Sequence, residues 1–141
     1  MKTQESSGSC VIADVEMHDA KIDGAVLSRD DLRVTFEKLP VFYEIAAMQY
    51  QVWMCRAELN LHGVTQFEFT NPDARDRLVD DGTASDTDGQ PIEWRALLSN
   101  RPVSRIRLVL TSGGVLDAHC EHAHLIVTMK EKYLEDWTGP L

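Results

Sequence analysis

The sequence predicts a mainly β domain, an antiparallel sandwich or barrel-like roll carrying one to three short helices. Three observations lead there. Apolar and polar residues alternate one by one at Leu32, Val34 and Phe36, and again at Ile106, Leu108 and Leu110. That is the period of a half-buried strand. Turn formers punctuate the chain at Asp23-Gly24, Asp30-Asp31 and Ser112-Gly113-Gly114. The chain has 141 residues, 43% hydrophobic and 26% charged, which suits one folded core.

Taken in order, residues 1–10 are polar and read as a flexible tail, with a single domain over residues 11–141. Val11, Ala13 and Val15 alternate with Ile12, Asp14 and Glu16, a strand pattern. The stretch over residues 41–61 admits two readings. Ile45, Met48, Val52, Cys55 and Leu59 step by three and four, a helical stripe. An α+β fold with a long helix over residues 42–61 is therefore the alternative. Ala46, Met48, Tyr50, Val52 and Met54 also alternate with their neighbours, and the strand reading is preferred. The segment continues to His62-Gly63, which reads as a hairpin turn.

Asn71-Pro72-Asp73 carries a capping side chain, a proline for the first helical position and an acid for the helix N-terminus. It predicts a short helix through about Leu78. Residues 80–90 read as a loop of turn formers, and residues 91–98 as a second short helix carrying Trp94. Ala123, Leu125, Val127 and Met129 alternate with His122, His124, Ile126 and Thr128, closing an antiparallel meander. Residues 130–137 read as a final helical turn.

The net charge is −9. It argues against a nucleic-acid backbone or an anionic membrane as partner and is compatible with a basic protein. Residues 71–93 hold seven acids against two bases, a net of −5. Within them Asp80, Asp81, Asp86 and Asp88 form the candidate partner-binding patch. Asp86 and Asp88-Gly89 have the spacing of the middle of a calcium loop. Ala84 and Arg95 stand where its end ligands belong, so an EF-hand is rejected. Three cysteines, Cys10, Cys55 and Cys120, are widely spaced without a C-x-x-C, as free thiols in a reducing cytosol would be. Residues 1–9 hold no apolar signal core, and the expected location is cytoplasmic.

The candidate metal set is Cys120, His122 and His124. On a strand they share one face about 7 Å apart, and thiolate and imidazole suit zinc or another transition ion. The His-x-His pair is similar to the metal motif of cupins. Val127, Thr128 and Met129 stand where an acidic ligand is needed, so the expected cofactor is none, with a metal as the alternative. Cys120 and His122 also admit a nucleophile–base reading. No phosphate-binding loop, nucleophile elbow or H-E-x-x-H occurs, so no catalytic residue is assigned.

Three blocks together resemble a known group. They are His18-Asp19-Ala20-Lys21-Ile22 with Leu32-Arg33-Val34-Thr35-Phe36, then Leu59-Asn60-Leu61-His62-Gly63-Val64, then Arg105-Ile106-Arg107-Leu108 with Gly113-Gly114 and the strand to Val127. Their order is similar to that of small bacterial β-rich proteins of unknown function, some of them described as immunity proteins of polymorphic toxin systems. The resemblance implies a β-rich fold and a protein partner, and no catalytic residues. The function expected is therefore non-enzymatic binding of a basic partner. The alternative is a small metal-dependent or cysteine enzyme using residues 119–124. Pairing of copies through sheet edges is a third expectation.

Overall fold

Among the described residues, eleven strands in two antiparallel sheets make up almost the whole architecture. The computed structural model describes residues 11–73 and 75–141; the expected tail over residues 1–10 lies outside them. The first sheet is built on a long spine. In it β3 (Asp31–Ala46) pairs with β4 (Gln49–His62), and β4 with β11 (His122–Thr138). The far edge of β3 is shared end to end by β2 (Lys21–Ser28) and β1 (Val11–Val15). The short β8 (Arg101–Pro102) pairs with the start of β11. The second sheet runs β5 (Gln66–Thr70), β10 (Val115–His119), β9 (Arg105–Leu110), β6 (Val79–Ser85) and β7 (Pro91–Ile92). Among the described residues no helix is long and apolar enough to cross a membrane.

The core follows the period of two. Leu59 and Leu61 from β4, Ile106, Leu108 and Leu110 from β9, and Leu116 and Ala118 from β10 are fully or almost fully buried. In β3 the buried set is Leu32, Val34 and Phe36, then Leu39, Val41 and Tyr43. The switch from even to odd numbers is a β-bulge. Phe36 lies opposite Ala57 and Leu39 opposite Cys55, so Glu37 and Lys38 together face one residue, Arg56. The inserted residue lets both halves of the strand bury their apolar face.

Pro40 does not end the strand as its backbone chemistry suggests. Its carbonyl accepts from the Glu16 N–H at 2.9 Å, so its nitrogen side faces the β1–β2 edge of β3. There β2 has ended at Lys38 and β1 begins at Val41. The missing N–H falls in that gap, where no strand asks for it.

Residues 41–61 form strands, as preferred, and the helix considered over residues 42–61 does not form. Ile45 and Met48 of the helical stripe are exposed, while Cys55, Ala57, Leu59 and Leu61 alternate into the core. The chain reverses at Ala47-Met48, with Met48 at φ 57°. His62-Gly63 is not a hairpin. β4 and β5 belong to different sheets, and the segment carries the chain from one to the other.

Two helices expected from local signals do not form among the described residues. After Asn71-Pro72, the Asp73 carboxylate accepts from the Arg75 N–H at 3.0 Å and closes a turn. The chain then runs extended, with Arg77 and Leu78 bonded to the Lys21–Ile22 backbone. Residues 130–137 continue β11. There Lys130 holds its ammonium 4.1 Å from the Tyr43 ring centre and 4.6 Å from that of Trp53, a cation–π arrangement. Tertiary pairing overrides the helical propensity of this Lys- and Glu-rich segment. The expected helix over residues 91–98 shrinks to a 3-10 helix, Trp94–Leu98, which buries Leu97. The expected loop over residues 80–90 is strand to Ser85 and turn thereafter.

Core burial of this kind sets a size for the packing energy. Leu108→Ala is expected to lower unfolding free energy by about 2–5 kcal/mol, read from the midpoint of urea unfolding at unchanged slope. Ile45→Ala, at an exposed position, is expected to stay within about 0.5 kcal/mol of the parent.

Candidate functional site

The residues of the 119–124 segment part company in the fold. β10 ends at His119 in the second sheet and β11 begins at His122 in the first. Cys120 lies in the crossover rather than on a strand. Its thiol donates to the Val103 carbonyl at 3.2 Å. Burial, helped by the Glu121 charge, pushes its pKa up to about 11. At neutral pH it is a thiol, and neither a ready ligand nor a ready nucleophile. His124 donates from Nε2 to the Leu98 carbonyl at 3.2 Å. His122 is exposed and stands opposite His62 of β4. Cys120 and His124 are thus held by separate carbonyls. Among the described residues no group of three or more His, Cys, Asp or Glu side chains is placed to hold a metal ion.

The four aspartates of the candidate patch also divide. Asp86 is a turn former: its carboxylate accepts from the Asp88 and Gln90 N–H groups, each at 2.9 Å. Asp88 sits at the tip of that turn. Asp80 and Asp81 are neighbours on β6. The Asp80 carbonyl accepts a short hydrogen bond from His18 Nδ1. Asp81 lines a cleft.

That cleft, about 300 Å³, opens where the two sheets meet. The first sheet contributes Asp14 and Val15, and the turn after it Glu16, Met17 and His18. The second sheet contributes Asp81 and Gly82, and the start of the 3-10 helix Glu93 and Trp94. Backbone bonds from Asp19 to Val79 at 3.1 Å and from Val79 to Ala20 at 2.8 Å dock the turn onto β6. Four carboxylates therefore line one hollow with one histidine. Asp14 caps the Val15 N–H at 2.9 Å, and Glu93 pairs with Arg95 at 3.2 Å on the surface. Among the described residues Asp81 makes no side-chain hydrogen bond or ion pair. Burial raises the Glu16 pKa; His18 opposes this, and the Asp14 and Asp19 charges add to it. His18 is pushed up by the Asp80 carbonyl and then by the Asp19 carboxylate.

Gly82 forms the floor. A Cβ there would stand 2.8 Å from Met17 Cγ, 3.0 Å from Leu108 Cδ2 and 3.2 Å from Trp94 Cζ2. Trp94 also donates from Nε1 to the Gly82 carbonyl at 3.3 Å. Of this site the acid-rich stretch over residues 71–93 contains Asp81 and Glu93, and only Asp81 is among the candidate patch residues. The alternation of Asp14 and Glu16 with Val15 was visible, but their meeting with Asp81 and Glu93 depends on the sheet order.

No protein-family model, curated protein or solved structure matches the chain.

Two measurements follow from the site. Because the folded pKa of Glu16 is raised, its ionisation in the fold opposes stability, and that cost is absent below its ordinary range. Glu16→Gln is therefore expected to raise the thermal midpoint at about pH 7 and to lose that gain by about pH 3.5. Solvent screening keeps the effect to a few tenths of a kcal/mol. Alkylation of Cys120, followed by peptide mass spectrometry, is expected to be slow at neutral pH. It should rise about tenfold per pH unit until the thiol ionises, near the value of about 11.

Proposed function

We propose that the chain is a non-enzymatic protein-binding domain, of the immunity type its sequence blocks resemble, and that it engages a basic partner at the cleft between the sheets. One observation carries the reading: Asp14, Glu16, Asp81 and Glu93 line a single hollow beside Trp94, with His18 as the one basic lining residue. Gathered like charges cost the folded state energy, and a partner's arginine or lysine would relieve that cost. The Trp94 ring offers the same cation an aromatic neighbour. Asp80 and Asp88 extend the negative field along β6 and its turn, whereas Asp86 serves the turn itself.

Against an enzyme at residues 119–124 stand the raised Cys120 thiol and its hydrogen bond to Val103. The longest open sheet edge among the described residues is that of β11, which on the side away from β4 has no strand beside it beyond Ala123. That edge carries three bulges, at Thr128, Glu131 and Leu134, and lysines at 130 and 132. Bulges and lysines are devices that blunt an edge.

The test is co-purification from the source cell with wild-type protein and with an Asp14→Asn, Glu16→Gln, Asp81→Asn variant. A basic protein held by the wild type should bind the variant roughly tenfold more weakly, as three lost charge contacts imply, and its affinity should fall with added salt. An unchanged set of bound proteins overturns the reading.

A further inference from the structure

The outer face of the first sheet carries a second constellation, away from the acidic cleft. His62 on β4 and His122 on β11 are antiparallel partners in register. Their strand neighbours Leu61 and Ala123 are buried, so both histidines project from the opposite, exposed face. Residues directly opposite on antiparallel strands have Cβ atoms about 4.5–5.5 Å apart. Two imidazoles at that spacing can reach one ion at about 2.0–2.1 Å from each nitrogen.

The ring of His62 is also oriented. Its Nδ1 donates to Asp31 Oδ1 at 2.9 Å. Asp31 lies on β3, which flanks β4 on the side away from β11. The two nitrogens of an imidazole diverge, so a ring with Nδ1 turned to β3 presents Nε2 towards β11, where His122 stands. A carboxylate on the far nitrogen fixes the tautomer and strengthens the near one as a ligand. Among the described residues His122 makes no side-chain hydrogen bond or ion pair.

We propose that His62 and His122 form a two-histidine site for a divalent transition-metal ion, with Asp31 as its positioning residue and water in the remaining coordination places. Imidazole donors select nickel, copper or zinc over calcium or magnesium. The set differs from Cys120, His122 and His124: ligation runs across the strands rather than along one, and the thiol and His124 are engaged elsewhere.

The experiment is calorimetric titration of the full chain, prepared without a histidine tag, with Ni²⁺. Saturable binding is expected, with His62→Asn and His122→Asn each weakening it by about tenfold or more, and His119→Asn and His124→Asn changing it by less than about twofold. Asp31→Asn is expected to lower affinity at an unchanged metal-free melting temperature; unchanged affinity overturns its positioning role. Paramagnetic broadening in the amide spectrum of the unmutated protein should centre on residues 62 and 122, which tests the site without any substitution. Absence of saturable binding, wild-type affinity in either His62→Asn or His122→Asn, or broadening centred elsewhere overturns the proposal.

Discussion

A single extra residue in β3 governs how the molecule is put together. Side chains on a strand alternate between faces, and a slip of one residue turns every later side chain over. Before the bulge at Glu37-Lys38, odd-numbered residues point outward, and Asp31 meets His62 there. After it, odd-numbered residues point inward, and Leu39, Val41 and Tyr43 join the core. β1 pairs with the second half, Val15 opposite Val41, and this pairing brings Asp14 and Glu16 to the cleft. The bulge is itself clothed in charge: Lys21 meets Glu37 at 3.1 Å and Arg56 meets Glu131 at 3.0 Å. Exposed pairs of this sort contribute little energy. Their place on the outer face is consistent with a register set by burial on the other side.

The cleft works against the stability that the core supplies. Sheet packing buries Glu16 in part and crowds it with Asp14 and Asp19, and its carboxyl responds by holding its proton more tightly. Gly82 lets the backbone pass close beneath Trp94, and a side chain there would have to displace the Met17 side chain and crowd Leu108. Rigid walls from both sheets thus hold charges that would separate in a looser structure. The two described cysteines do not line the cleft, and Cys55 and Cys120 are both pushed above the ordinary thiol range by burial. This division, protonated thiols away from the cleft and four carboxylates gathered at the junction, favours binding over catalysis as the reading of the molecule.

The sequence was most legible where burial and backbone period agree. Leu32 to Phe36 and Ile106 to Leu110 alternate without a break, and both are strands with the expected face buried. Residues 41–61 were ambiguous because Ile45 and Met48, which mimic a helical stripe, are exposed residues at the hairpin end. Local signals misled where tertiary partners took over. Asn71-Pro72-Asp73 has the chemistry of a helix start, yet its backbone is claimed by Lys21 and Ile22. The Lys- and Glu-rich run over residues 130–137 has helical propensity and is instead held as the edge of β4. The candidate sites were less legible still. Asp81 and Glu93 share the acid-rich stretch over residues 71–93, but Asp14 and Glu16 lie far from it in sequence. His122 stands two positions from Cys120 in the sequence, whereas its structural neighbour His62 is 60 positions away in the chain.

Deletion of Lys38 removes the bulge that sets the register of β3. Removing that residue would place Leu39, Val41 and Tyr43 on the outer face and strand the pairing with β1. Urea unfolding of the deletion variant should show loss of the cooperative transition, or a midpoint so low that more than about 4 kcal/mol has gone. Deletion of Gly89, in the exposed turn after β6, should cost far less. A Lys38 deletion that unfolds cooperatively within about 1 kcal/mol of the parent would mean that the bulge does not set the register.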